Sequence, residues 1–392
     1  MVRYLKLFET HDDYVAFTRT ADFLKPNVSR CLEENDIHYS PWVRDYSKEY
    51  FTFEVIEPGT ITIRLNYNSD YMSRTISYST NKGKTWTDLT TSGTAQELGG
   101  TLNAGDKVLV KGVTNRYGSS EDGSHIFGGT AKVNVCGNIM SLLFGDDFAD
   151  KDTLAESNSY TFNGLFNGYT NLLSAEHLIL PATTLLWASY SGMFMDCTSL
   201  TTAPELPATT LAGRCYASMF QGCTSLTTAP ELPATTLADS CYSYMFYGCT
   251  ALVNVPTILP STSMTNNNGS CYSNMFQGCT SLTTAPELPK VSYASSSYVT
   301  CDSFYDNMFR GCTSLNYVRC GLTTSFKYVT RDWLTGVAEN GIYVFIMTTQ
   351  NYFNNISIPS GWTIIYYDSA NDKYYLDADK QNECDDHANP IS

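Results

Sequence analysis

Three glutamates recur at one place in a repeating phrase, each preceded by a pair of threonines: Thr201, Thr202 and Glu205; Thr227, Thr228 and Glu231; Thr283, Thr284 and Glu287. Carboxylates flanked by hydroxyls offer acceptors to a cation or a polar ligand. The row is broken at Thr257, and a solvated strand face is the plainer reading of the same residues. A polar insertion, 290–298, adds Tyr293 and Tyr298 to the candidate ligand-binding set. Chemistry beyond binding is not indicated. The five histidines stand at 11, 38, 125, 177 and 387, with no nucleophile motif, phosphate loop or paired-carboxylate signature around them. His38 and Cys31 have no second ligand pair nearby, and Asp146, Asp147, Asp150 and Asp152 lack the glycine and glutamate spacing of a calcium loop. No catalytic residue, metal ligand or cofactor is expected.

The elements that would position these residues are repeats. Met219-Phe220 leads into Gly222-Cys223-Thr224-Ser225-Leu226, and Met245-Phe246 and Met275-Phe276 head the same phrase. Met193-Phe194 and Met308-Phe309 head copies on either side, and a degenerate first copy holds Leu165-Phe166. From Phe166 to Phe309 the intervals are 28, 26, 26, 30 and 33 residues, so six units are expected over 161–320. Tyr216, Met219, Phe220 and Cys223 fall at i, i+3, i+4 and i+7, the apolar face of a short helix. The prolines at 230 and 233 then exclude helix and leave a short strand and a turn. One unit cannot bury its apolar face alone; stacked units can. The tyrosines at 190, 216, 242, 272 and 305 either join that core or form an outer row for stacking on sugars. Nine of the thirteen cysteines keep the beat of the repeat without forming Cys-x-x-Cys pairs, which fits buried thiols acting as small apolar rungs.

The phrase Met-Phe-x-x-Cys-x-x-Leu resembles the BspA-like class of bacterial surface leucine-rich repeat, over roughly residues 160–345. The resemblance implies a parallel-stranded solenoid that recognises ligands by surface contact, and implies no chemistry. The segment Lys25-Pro26-Asn27-Val28-Ser29, followed by Cys31 and Asp36-Ile37-His38-Tyr39, is similar to a leader on virion and surface proteins of phages of gut Bacteroides, crAss-like phages included. Ser79-Thr80-Asn81-Lys82-Gly83-Lys84-Thr85-Trp86 resembles the Asp-box hairpin of sialidases, with Asn81 in place of the aspartate. In those enzymes the box is a structural turn remote from the chemistry, and one copy does not imply a glycosidase.

The fold class expected is a β-rich α+β chain. Residues 1–48 read as an attachment segment of helix plus hairpin, and 49–137 as an immunoglobulin-like β-sandwich, a module that the alternating runs Phe51–Val55, Thr60–Leu65, Arg74–Tyr78, Lys107–Val110 and Ala131–Val135 outline. Residues 138–160 cap the stack, 161–320 form the BspA-type leucine-rich-repeat solenoid, 321–367 its C-terminal β cap, and 368–392 an acidic tail, disordered or held by a partner. A formal charge of −15 argues against nucleic acid as partner. Between Thr161 and Thr300 only eight residues are charged, so the repeat surface is hydroxyl-rich and nearly neutral, suited to glycans or flat protein partners. No apolar run is long enough to insert in a membrane. The charged opening Met1-Val2-Arg3-Tyr4-Leu5-Lys6 lacks the apolar core of a signal peptide.

Together these features lead to the expectation of a non-enzymatic phage virion protein, a tail fibre or capsid decoration on the particle surface. Residues 1–48 would bind virion proteins, and the repeats a host surface glycan or outer-membrane protein. A homo-oligomer is compatible with this role, although no heptad run supports a coiled coil. The alternatives are a bacterial cell-surface adhesin of the BspA-like class and a polysaccharide depolymerase.

Overall fold

The computed structural model describes residues 45–64, 75–89, 94–113, 127–154, 159–259, 269–288, 303–320, 330–347 and 357–390. The chain divides into two compact units, Met1–Tyr46 and Ser47–Ser392. The helix and hairpin expected within 1–48, and the insertion bearing Tyr293 and Tyr298, lie outside the described residues.

The second unit is β-rich, with several sheets and almost no helix. Its first part contains strands β1 (Phe51–Glu57), β2 (Gly59–Arg64), β3 (Thr75–Ser79), β4 (Thr87–Leu89), β5 (Ala95–Leu102), β6 (Lys107–Val113), β7 (Phe127–Gly129) and β8 (Lys132–Asn138). Alternation decides which faces are buried: β6 buries every second residue along its length and β8 does so up to Val135, as the pleat requires. One sheet runs β4-β3-β6-β1-β8, and a second, three-stranded sheet runs β5-β2-β7. They meet through Phe51 and Phe53, whose rings stand 5.5 and 5.0 Å from that of Phe127.

This part does not end at Asn138. A single helical turn, α1 (Ser141–Phe144), packs on β6, and strand β9 (Leu172–Ile179) then pairs in parallel with β8 as the sixth strand of the larger sheet. Phe166 lies 5.8 Å from Phe127, nearly parallel to it, so the two-sheet core continues into the repeats without a break. The repeats themselves stack as coils. Phe166, Phe194, Phe220, Phe246, Phe276 and Phe309 form one column, with neighbouring ring centroids 5.3–5.7 Å apart. Phe162, Tyr190, Tyr216, Tyr242, Tyr272 and Tyr305 form a second, fully interior column at 5.7–6.0 Å. The tyrosines therefore belong to the core and offer no ring to an outside sugar.

The helix expected at each Met-Phe phrase is not formed. The segment is a ladder of tight turns with a left-handed residue at every fourth position: Arg214, Ser218 and Gly222 in one coil, Ser240, Tyr244 and Gly248 in the next, Ser270, Asn274 and Gly278 in the third. Hydrogen bonding alternates. In these three coils odd residues close turns within the coil, as Met219 N–H to Tyr216 O (3.2 Å) and Cys223 N–H to Phe220 O (3.1 Å). Even residues reach the following coil, as Ser218 N–H to Ser243 O (2.8 Å), Phe220 N–H to Met245 O (2.9 Å) and Gly222 N–H to Tyr247 O (2.8 Å). A four-residue period also places i, i+3, i+4 and i+7 on one side, so the apolar pattern is the same as a helix's over one phrase. The turn ladder satisfies the same backbone groups and additionally ties each coil to its neighbour.

The eleven described cysteines are all buried and unbridged. In one column each thiol donates to a carbonyl of the preceding coil: Cys197 to Phe166 O, Cys223 to Phe194 O, Cys249 to Phe220 O, Cys279 to Phe246 O and Cys312 to Phe276 O, at 2.9–3.1 Å. Cysteine fits here because a small apolar side chain that also donates weakly can fill the gap below a carbonyl.

The ladder also continues past Cys320. Strand β10 (Tyr317–Cys320) pairs in parallel with β11 (Gly341–Ile346), and β11 with β12 (Trp362–Asp368). Trp333 takes the place of the next phenylalanine, its carbonyl accepting Phe309 N–H (2.9 Å), and Gly336 takes that of the next glycine. The tail is not a loose acidic segment. Strand β13 (Lys373–Tyr375) adds antiparallel to β12 and β14 (Glu383–Cys384) antiparallel to β13, and this extension covers Val344 and Ile365. Its acids build turns: Asp368 accepts from Ala370 N–H, Asn371 and Lys380, and Asp377 from Gln381 N–H and Asn382. No helix among the described residues is long and apolar enough to cross a membrane.

Candidate functional site

The prolines of the repeat decide where a site can form. Thr202 bridges to Ser174 in the coil before it, and Thr228 to Asn254 in the coil after it. Pro204 and Pro207 follow the first bridge and Pro230 and Pro233 the second, and none has an N–H to give to a ladder. The first two threonine-glutamate rungs therefore do not zip together. They leave a groove of about 450 Å³ lined by Thr201, Thr202, Glu205, Thr227, Thr228 and Glu231, with the prolines, Ala203, Leu206 and Ala229 as apolar wall.

Within the groove the hydroxyls are partly engaged. Thr201 Oγ1 donates to Leu173 O at 3.0 Å, and Thr228 Oγ1 accepts from Asn254 Nδ2 at 3.1 Å. Glu205 and Glu231 are exposed and make no ion pair or hydrogen bond among the described residues. Two free carboxylates beside hydroxyls and an apolar wall can receive hydrogen bonds from a hydroxylated or amide-bearing ligand, the usual composition of a recognition groove.

The third rung is separate. On the intervening coil Val253 stands exposed in the place of a threonine, and Ile258, exposed as well, bridges to Glu287. Glu287 is neutralised: Arg319 Nε lies 3.0 Å from its Oε2, close enough for an ion pair though not aligned as a hydrogen bond. The Arg319 guanidinium also sits 4.2 Å from the Tyr367 ring. Thr284 instead borders a different cleft, of about 720 Å³, with Asn316, Tyr317, Asn340, Asp386 and His387. Burial, then the neighbouring Tyr374 and Asp386, push the Tyr317 hydroxyl up to about 12. Asp385, Asp386 and His387 bring three ligand-capable atoms within 4.8 Å of one another. Asp385 already accepts from Asn389 Nδ2, Asn389 N–H and His387 N–H, so this group is a built turn. The expected row of nine residues is thus a groove of six and a separated three.

The sequence reading missed this second cleft. Tyr317 follows Thr284 in register, which aligning Asn316-Tyr317 with Thr283-Thr284 would reveal. Asp386 and His387 carry no such signal, because their place depends on the fold-back of the tail.

Two other sequence features take structural parts. In the Asp-box-like hairpin Asn81 Oδ1 accepts from Thr85 N–H (3.0 Å) and Ser79 Oγ from Gly83 N–H (2.9 Å). The Trp86 ring packs 5.0 Å from that of Tyr50, with Lys111 Nζ 4.3 Å from it. Asp146 accepts from Lys111 (2.8 Å) and Tyr50 (2.7 Å), and these bonds hold its carboxyl below the ordinary range. Comparison of the chain with known protein families, with curated proteins and with solved structures gives no match.

Proposed function

We propose that this chain is a non-enzymatic phage virion adhesion protein, of the tail-fibre or capsid-decoration kind, which holds a host surface glycan or outer-membrane protein in the groove between its first two threonine-glutamate rungs. The stacked coils are read as a BspA-like leucine-rich-repeat solenoid and the two packed sheets before them as an immunoglobulin-like module. The observation that carries the reading is the groove, in which equivalent residues of two successive repeats present free Glu205 and Glu231 carboxylates beside threonine hydroxyls and a proline wall. The sheets and the coils share one core, so the module before the repeats acts as a stiff extension. Many copies on a particle would make a weak groove effective through avidity.

A depolymerase is the second reading, because Glu205 and Glu231 line one groove and glycoside hydrolysis needs two carboxylates. Both stand exposed, without the burial that tunes a general acid. The test uses purified protein and capsule-bearing Bacteroides cells, with a variant carrying Glu205→Gln and Glu231→Gln. The adhesion reading expects cell binding that falls about tenfold in the variant, and no release of reducing sugar by either protein. Undiminished binding by the variant overturns the groove assignment, and reducing-sugar release lost in the variant establishes the depolymerase.

A further inference from the structure

The outward side of the turn ladder carries a second polar surface, which shares no residue with the threonine-glutamate groove. The residue before each ladder glycine points outward once per coil: Gln221, Tyr247, Gln277 and Arg310. Backbone bonds from Gly222 to Tyr247 O, Gly248 to Gln277 O and Gly278 to Arg310 O, each 2.8 Å, hold these four in a straight row. Beside it runs the row of left-handed residues, Tyr244, Asn274 and Asn307. Together they line a shallow groove of about 450 Å³ crossing four coils.

Three properties of this groove point to one ligand class. Tyr244 and Tyr247 lie 5.8 Å apart, with Tyr244 40% exposed, which offers phenol faces and hydroxyls rather than a buried packing surface. An amphipathic ring of this kind packs on an apolar face and hydrogen-bonds at its edge. The amides of Gln221 and Gln277 and both tyrosine hydroxyls make no hydrogen bond among the described residues, so paired donors and acceptors stand ready for vicinal hydroxyls. Arg310 is the one charged lining residue; it donates to Asn307 Oδ1 at 3.3 Å and has no carboxylate partner among the described residues. The coils are spaced by about the distance between the stacked phenylalanine rings, 5.5–5.7 Å in this region. A sugar unit of an extended polysaccharide advances by a similar length, so successive units can meet successive coils.

We infer that this face binds a polysaccharide segment bearing carboxylated sugars, with Tyr244 and Tyr247 packing on sugar rings, Gln221 and Gln277 bonding ring hydroxyls, and Arg310 clasping a carboxylate through its planar fork. On a chain of formal charge −15, an uncommitted cation in this groove is what admits an acidic polymer to it.

The test immobilises alginate, polygalacturonate, hyaluronate and polysialic acid, each beside its carboxyl-reduced form, and measures binding of the full chain by interferometry. At least one acidic polymer is expected to bind, its reduced form about tenfold more weakly, a difference of about 1.4 kcal/mol. Arg310→Gln and Tyr244→Ala are each expected to lower binding by about tenfold, with Arg310→Lys intermediate and thermal unfolding of all three close to that of the parent. Four results overturn the inference: no acidic polymer bound, equal binding of the reduced forms, binding that survives Arg310→Gln and Tyr244→Ala, or binding lost only with Glu205→Gln and Glu231→Gln. The last would assign the polymer to the threonine-glutamate groove.

Discussion

Replacing Gly248 by alanine distinguishes a turn ladder from a helix by the sign of the effect. Gly248 has φ +72°, and a Cβ built on it meets nothing closer than the Gly222 backbone at 4.0 Å. No clash contributes, so the conformational term stands alone. Holding an L-residue in the left-handed region costs about 1–2 kcal/mol, whereas glycine to alanine inside a helix gains about 1 kcal/mol. Ser218, at φ 56°, gives the reverse test. Its side chain makes no hydrogen bond among the described residues, so Ser218→Gly removes left-handed strain and should stabilise by about 0.5–1 kcal/mol after the added flexibility of the unfolded chain is counted. In a helix the same change would destabilise by about that amount. Thermal unfolding followed by circular dichroism reads both, with shifts of about 2 °C in opposite directions. Stabilisation by Gly248→Ala together with destabilisation by Ser218→Gly would refute the ladder.

Three further outcomes follow from the packing. Phe220 is fully buried between Phe194 and Phe246, at 5.5 and 5.6 Å, so Phe220→Ala should destabilise by about 3–5 kcal/mol, measured as a lower urea midpoint. Burial raises the Cys249 and Cys312 thiols from 9.0 to about 12, so between those values the unfolded chain has lost protons that the folded chain keeps. Stability should therefore be unaffected by these groups below pH 9 and fall as pH rises toward about 12; Cys249→Ala with Cys312→Ala should flatten that slope, and an unchanged slope would exclude these thiols as its cause. Truncation after Asp368 removes β13 and β14, uncovering an edge of β12 and the Val344–Ile365 cluster, and light scattering should detect association that the intact chain does not show.

How much of this was legible in the sequence depends on the scale of each pattern. Strands β1, β2, β3, β6 and β8 are readable because alternation is a local property of a half-buried strand. The apolar columns are readable because each repeat places the same side chain at the same step. The turn ladder is not separable from a helix by apolar spacing alone, since periods of 3.6 and 4 agree over seven residues. The counter-signal lies on the polar side: Ser218 and Gly222, Asn274 and Gly278, and Asn307 and Gly311 repeat turn-forming residues at four-residue spacing. The threonine-glutamate row is visible as a row, but its division is not. Pairing of Glu287 with Arg319 and exposure of Val253 and Ile258 depend on which coils adjoin. The tail is least legible, because its acids and polar turns read as solvated chain until β12 supplies an edge for them.

The most direct test of the adhesion account is quantitative mass spectrometry of purified phage particles from a culture that expresses this chain, with the bacterial envelope fraction measured alongside. The account predicts the chain in the particles at a fixed stoichiometry to the major structural proteins. Its absence from particles, with recovery from the bacterial envelope instead, would contradict a virion role and leave the surface adhesin.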